Sequence, residues 1–184
     1  MLWWIILIIA LAALLVIMFI SYYNRFVVLT NRIENSLAQI SVQLKRRADL
    51  IPNLIETVKG FAKHEKEAIK TVTEARKALV SAKGVVDKVK ANNQLESALK
   101  TIFAIAEGYP DLKANTNFLE LQRELSATED KVAYSRQFYN DSILSYNNLV
   151  QKFPGNVFAS IFGRKQKEFF EIEPVDTKLP KVSF

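Results

Sequence analysis

Residues 42–67 read VQLKRRADLIPNLIETVKGFAKHEKE. Leu44, Ile51, Leu54 and Val58 step by seven, three and four, which puts them on one face of a helix. Three basic residues, Lys45-Arg46-Arg47, and one proline, Pro52, sit inside that pattern. An interior proline removes a backbone hydrogen bond and crowds the preceding turn. It also biases Ile51 away from helical angles. The outcome is either a bend in one long helix or a reversal into a second. Reversals use glycine or a polar loop, and RADLIPNLI has neither, with Asn53 its one other turn-former. We therefore expect a kink or local break without reversal.

Working outward, Phe26, Ile33, Leu37 and Ile40 extend the stripe backward, and Ala62, Ile69, Val72 and Leu79 extend it forward. This is heptad-like spacing, suited to packing along a seam, as in a coiled coil. Gln39, Gln43, Arg47, Lys63, Glu67 and Lys70 fall on the opposite face and are expected in solvent. The chain should first turn near Ser81 to Asp87, with Gly84 as the stop signal. A shorter helix follows, with Val85, Val89, Leu95, Leu99, Ile102 and Ala106 inward. Glu107 to Asp111 forms a second turn. A last long helix, roughly Leu112 to Lys152, carries the stripe Phe118, Leu121, Leu125, Thr128, Val132, Ser135, Tyr139, Ser142, Tyr146, Leu149 and Phe153. Buried Thr128, Ser135 and Ser142 need hydrogen-bond partners. These are expected from Tyr, Asn and Gln on facing helices. The path is then out, back and out, which leaves Phe153 far from the chain's start.

That start, MLWWIILIIALAALLVIMFI, has no polar residue. Twenty helical residues rise about 30 Å, the thickness of a bilayer's hydrocarbon. Trp3 and Trp4 suit one interface, and Tyr22 and Tyr23 the other. No Lys or Arg precedes the run, and its one Ala-x-Ala, Ala10 to Ala12, falls in the middle. A cleaved signal peptide needs the opposite. The run reads as an uncleaved single-pass anchor. Arg25, Arg32 and the Lys45-Arg46-Arg47 collar follow it, which places the bulk of the chain in the cytoplasm and a short N-terminus outside.

The fold class expected is therefore all-α: a transmembrane helix followed by an elongated antiparallel up-down bundle of long helices. Residues 1–22 form the anchor, 23–153 the bundle, and 154–184 a C-terminal aromatic and basic segment. Val157, Phe158, Ile161, Phe162, Phe169 and Phe170 lie there beside Arg164, Lys165 and Lys167. Such a segment can cap the open end of the bundle, which is the reading taken. It can also lie in a membrane interface or meet a neighbouring copy.

Composition removes several chemistries. Cysteine is absent, which excludes disulfides, zinc-thiolate sites and a cysteine nucleophile. One histidine, His64, excludes a histidine-rich metal site within the chain. His64-Glu65 begins a zinc-protease motif, but Ala68 stands where the second histidine belongs. Residues 63–67 read as a solvated helix face. Glu120 with Glu124, and Glu129 with Asp130, are carboxylate pairs on a long helix with no sign of a pocket. Phosphate-binding and nucleophile-elbow motifs are missing. No catalytic residue, metal site or cofactor is expected. The net charge is +6, from 25 Lys and Arg against 19 Asp and Glu, which favours anionic headgroups. The basic triplet lacks interleaved aromatics, so nucleic acid is not expected as a partner. Tyr139-Asn140 and Tyr146-Asn147, one heptad apart, suit a packing network.

Two blocks carry a resemblance. NRIENSLAQISVQLKRRADLIPNLIETVKGFAKHEKE and YPDLKANTNFLELQRELSATEDKVAYSRQFYNDSILSYNNLVQKFPGNVFASIFG are similar to the conserved blocks of the LemA family of bacterial membrane proteins. The closing LPKVSF resembles that family's end. The resemblance implies one membrane helix, an antiparallel helical bundle, a bacterial inner-membrane location, and neither an enzyme activity nor a cofactor. The expected function is a non-enzymatic scaffold that self-associates or organises partners at the membrane. The alternative is a regulatory adaptor for a membrane enzyme or sensor. The lipid bilayer, further copies of the chain and a membrane protein are the partners expected, with no small-molecule substrate. A straight helix carries the basic collar about 37 Å beyond the bilayer, too far for headgroups. Acidic residues of a neighbouring helix or chain are its expected partners.

Overall fold

The computed structural model describes residues 2–170. The closing LPKVSF, with the rest of 171–184, lies outside the described residues. Among the described residues there are six helices: α1 (Leu2–Phe61), α2 (Lys66–Ser81), α3 (Val85–Ala106), α4 (Pro110–Lys113), α5 (Thr116–Gln151) and α6 (Gly155–Ile161). No strand occurs among the described residues. The chain divides into two compact units, one of residues 2–39 with 134–169, the other of 40–133 with 170. Both α1 and α5 supply residues to each unit.

In the unit of residues 40–133, α1 passes straight through Pro52 and remains helical to Phe61. Pro52 is tolerated because it points to solvent, while Ile51 and Leu54 on either side are fully buried. The reversal comes ten residues later. Residues 62–65 leave the helix, and α2 runs back along α1. The Arg76 Nε–H donates to the Ala48 carbonyl at 2.8 Å, the two residues lying equally far on either side of Ala62. The single helix expected from 44 to 79 is thus a hairpin, and the chain makes one more pass than expected. Ala62 is fully buried at the bend. The Tyr109 hydroxyl donates to the Glu65 carboxylate at 2.9 Å and holds the turn from outside.

Gly84 sits at φ +85°, a left-handed conformation that a side chain disfavours, and starts α3 rather than stopping α2. α3 then runs alongside α1 in the same direction. Lys88 donates to Ser41 Oγ at 2.8 Å and Arg47 to Asn92 Oδ1 at 3.0 Å. Pro110 opens α4, where its missing N–H costs nothing. The last long helix is broken at 114–115, and Asn115 Oδ1 accepts the Phe118 N–H at 3.0 Å as the N-cap of α5. Leu95, Leu99, Ile102, Leu112 and Leu125 fill the core with Ile51 and Leu54.

In the unit of residues 2–39 and 134–169, α5 lies against α1 in the opposite direction. Tyr146 meets Phe26 edge-on at 5.9 Å, and Phe158 farther along the chain meets Tyr22 earlier in it. The small polar residues of the α5 stripe are buried as expected, but for Thr128 and Ser142 the partner is not a facing side chain. Thr128, in the unit of residues 40–133, donates to the Leu125 carbonyl, and Ser142 in this unit to that of Phe138, each within its own helix. A hydroxyl one turn along is always within reach of such a carbonyl. Phe153 leaves the stripe and is 82% exposed, because α5 stops at Gln151.

Restoring the missing backbone bond at an exposed helix position should stabilise the fold. P52A should raise stability by about 2 kcal/mol, part of the gain being offset by a freer unfolded chain. Thermal unfolding of the detergent-solubilised chain, followed by circular dichroism, measures it.

Candidate functional site

Arg47 was expected in solvent. It is 1% exposed, the largest fully buried side chain. Its Nη1 donates to Asn92 Oδ1 at 3.0 Å and its Nη2 to Glu129 Oε2 at 3.2 Å. A buried guanidinium is costly unless paired and hydrogen-bonded. Burial pushes Arg47 below the usual arginine range, while Glu129 and Glu96 act to raise it. One side chain of α1 thereby links α3 and α5 within this unit. Arg46 reaches Glu124 on α5 at 3.9 Å, with both side chains about half exposed. Two residues of the basic collar therefore find their acids on a helix of their own chain.

Lys45, the third, lines a cleft of about 430 Å³ among α1, α2 and the start of α3. Arg76 and Lys88 also line it, against one acid, Asp49, and the floor is Leu44, Ala48 and Leu79. The remaining candidates stand apart from it. His64 is exposed in the turn between α1 and α2 rather than on a helix face. Glu120 is exposed, Glu124 is taken up by Arg46, and Glu129 by Arg47. Among the described residues no three His, Cys, Asp or Glu side chains gather as metal ligands would.

The other unit carries a different constellation. Leu2 to Ile17 are exposed throughout, and α1 has an apolar window long enough to cross a membrane. Where that run ends, α6 docks. Phe158 stacks on Tyr22 with centroids 4.6 Å apart, and Phe162 meets Phe19 at 5.0 Å, Tyr23 at 5.5 Å and Phe26 at 6.0 Å. Edge-on and stacked pairs at these separations each add about 0.5–1.5 kcal/mol beyond burial. The expectation of a cap remote from the chain's start is corrected: Phe158 and Phe162 meet Tyr22 and Phe19 at the end of the apolar run.

Two residues make this return possible. Gly155 packs so close to α5 that a Cβ there would lie 2.3 Å from the Leu149 carbonyl oxygen. Asn147, of the second Tyr-Asn pair, clamps the chain after α6. Its Nδ2 donates to the Lys167 carbonyl and its Oδ1 accepts the Lys167 N–H, both at 2.9 Å. Lys167 Nζ lies 5.7 Å from the centre of the Tyr146 ring. Desolvation raises Tyr146 above the usual tyrosine range, with Arg164 acting to lower it. The FPG stretch signals the end of a helix, and the close approach at Gly155 comes from the chain folding back on Leu149, six residues earlier.

Two pairs of variants test these sites. E129Q leaves the buried Arg47 short of its countercharge and should cost about 2 kcal/mol, whereas E124Q on the half-exposed pair should cost less than about 0.5. Urea unfolding of the solubilised chain compares them. G155A forces Leu149 backbone to move and should cost about 1–3 kcal/mol, with G60A, at a helix position where a Cβ meets open space, as the harmless control.

A family model described as the LemA family matches residues 36–184. Protein LemA of Metamycoplasma hominis is 29% identical over 152 residues, covering 79% of this chain and 68% of its own length. Magnetosome protein MamQ of Magnetospirillum gryphiswaldense is 25% identical over 178 residues, covering 83% of this chain. Magnetosome protein MamQ 2 of Paramagnetospirillum magneticum is 24% identical over the same length. The chain spans 65% of the length of each of these magnetosome relatives. None of these names specifies a reaction.

Proposed function

The chain belongs to the LemA family, and from that premise we propose that it is a membrane-anchored, non-enzymatic scaffold whose copies associate side by side on the bacterial inner membrane. α1 holds it in the bilayer, with the two helical units on the cytoplasmic side. Two of the relatives are named as magnetosome proteins, and neither name is that of an enzyme.

The observation that carries self-association is an aromatic pair on α5. Tyr134 is 73% exposed, and Phe138, one turn on, is 38% exposed. Aromatic side chains are enriched in protein interfaces, and a helix spacing of four presents both on one face. Anchored copies share one orientation and two dimensions, so weak lateral contacts suffice. The basic collar does not serve this purpose, because Arg46 and Arg47 are engaged within the chain. The cleft bordered by Lys45, Arg76 and Lys88 favours a second reading, an adaptor that takes one acidic segment of a membrane enzyme or sensor.

Cross-linking of intact membranes at native density separates the two. The scaffold gives a ladder at multiples of 21.0 kDa, and Y134K/F138K collapses it to monomer. Monomer throughout, or one heteromeric product of fixed stoichiometry, contradicts the scaffold.

A further inference from the structure

The elbow between α5 and α6 presents a second apolar surface beside the anchor. Phe153 is 82% exposed, Val157 48% and Ile161 61%. Val157 and Ile161, four apart on α6, share one edge of that helix, and Phe153 stands in the turn just before it. This edge is not the one that docks on α1, which consists of Phe158 and Phe162. Exposed large apolar groups gathered at one place call for an occupant.

Position identifies the occupant. Phe158 and Phe162 contact α1 from Phe19 to Phe26. These seven steps cover about 10 Å of helix, beginning where the polar-free run ends at Ile20. α6 is thus held at the depth where an anchored α1 leaves the hydrocarbon. Charge points the same way. No Asp or Glu occurs between Asp141 and Glu168, a stretch that holds Lys152, Arg164, Lys165 and Lys167. On α1 the first acid is Glu34, after Arg25 and Arg32. Lys152, Lys165 and Arg25 are exposed.

We propose that the stretch from Lys152 to Lys165 is an interfacial foot, a second membrane contact lying in the headgroup–acyl boundary of the leaflet from which α1 emerges. Phe153, Val157 and Ile161 enter the boundary, and Lys152 and Lys165 bind anionic lipid headgroups. An amphipathic segment of this kind sinks roughly 5–10 Å below the headgroup surface, and each basic residue adds about 1 kcal/mol near an anionic leaflet. Gly155 and Asn147 set the angle at which the foot leaves α5. The foot would orient the chain about the membrane normal, which a single helix leaves free to rotate.

The inference rests on reading α1 as the anchor, and one experiment tells the two apart. Because the chain has no cysteine, single substitutions V157C, I161C, I9C and Q39C can each carry a nitroxide label on the full chain. The chain is reconstituted into vesicles of phosphatidylcholine with or without phosphatidylglycerol. Collision rates with oxygen and with a water-soluble nickel chelate report depth. Gln39, about 28 Å of helix beyond Ile20, is the aqueous reference.

With the foot in the boundary, labels at 157 and 161 are severalfold less accessible to nickel than the label at 39, and shallower than the label at 9. In anionic vesicles K152Q/K165Q moves them outward. Nickel accessibility at 157 and 161 equal to that at 39, with 9 immersed, overturns the foot and leaves the anchor intact. An accessible label at 9 overturns the anchor reading itself. Nickel protection at 157 accompanied by spin–spin broadening, which dilution with unlabelled chain removes, assigns the surface to a second copy and overturns the foot. Retention of depth at 157 in K152Q/K165Q overturns the headgroup contact.

Discussion

Nothing among the described residues covers Leu2 to Ile17, and the rest of the structure answers to that constraint. Buried apolar side chains are worth about 1.5–3 kcal/mol each, so this run withholds on the order of tens of kcal/mol until it leaves water. Aromatic residues from two helices gather at the C-terminal end of the run. Phe19, Tyr22, Tyr23 and Phe26 take Phe158 and Phe162. Their amphipathic rings suit a boundary between hydrocarbon and water. The bare stretch and the decorated stretch meet within two helical turns.

Away from that boundary, specificity comes from polar groups placed among apolar ones. An apolar stripe at helical spacing tolerates sliding by a turn, since one Leu resembles another. Arg47 does not, because its guanidinium needs Asn92 and Glu129 at fixed positions on two other helices. A displaced helix would strand a buried charge at a cost of about 3–5 kcal/mol. Thr128 and Ser142 are cheap by comparison, since each satisfies its hydroxyl on its own helix backbone.

Much of this was legible in the chain. The apolar start, the turns at Gly84 and Pro110, and most of the apolar core positions from Phe26 to Leu149 follow from periodicity and turn chemistry, whereas Leu29, Leu112, Ile143 and most of the buried alanines of α1, α2 and α3 do not. The hairpin at 62–65 did not. Its residues, Ala62-Lys63-His64-Glu65, are ordinary helix formers, and Gly60 lies inside α1. The stripe also runs through the bend, since Val58, Ala62, Ile69 and Val72 keep helical spacing while the chain reverses. Pro52 drew attention to the wrong place. What decides the bend is tertiary: a fully buried Ala62 and the Tyr109 hydroxyl on Glu65. That one turn changed the number of passes. Arg47 was misplaced for a related reason. Hydrophobic pattern assigns a cation to solvent, and only the partners on other helices justify its burial.

The central claim is that residues 1–20 stay on the protein and hold it in a bilayer. Alkaline carbonate extraction of cell membranes, followed by peptide mass spectrometry of both fractions, tests it directly. The account predicts the chain in the carbonate-resistant pellet, with peptides from the first twenty residues recovered there at the same abundance as those from α5. Release into the supernatant, or a pellet-bound chain beginning after Ile20, would contradict it.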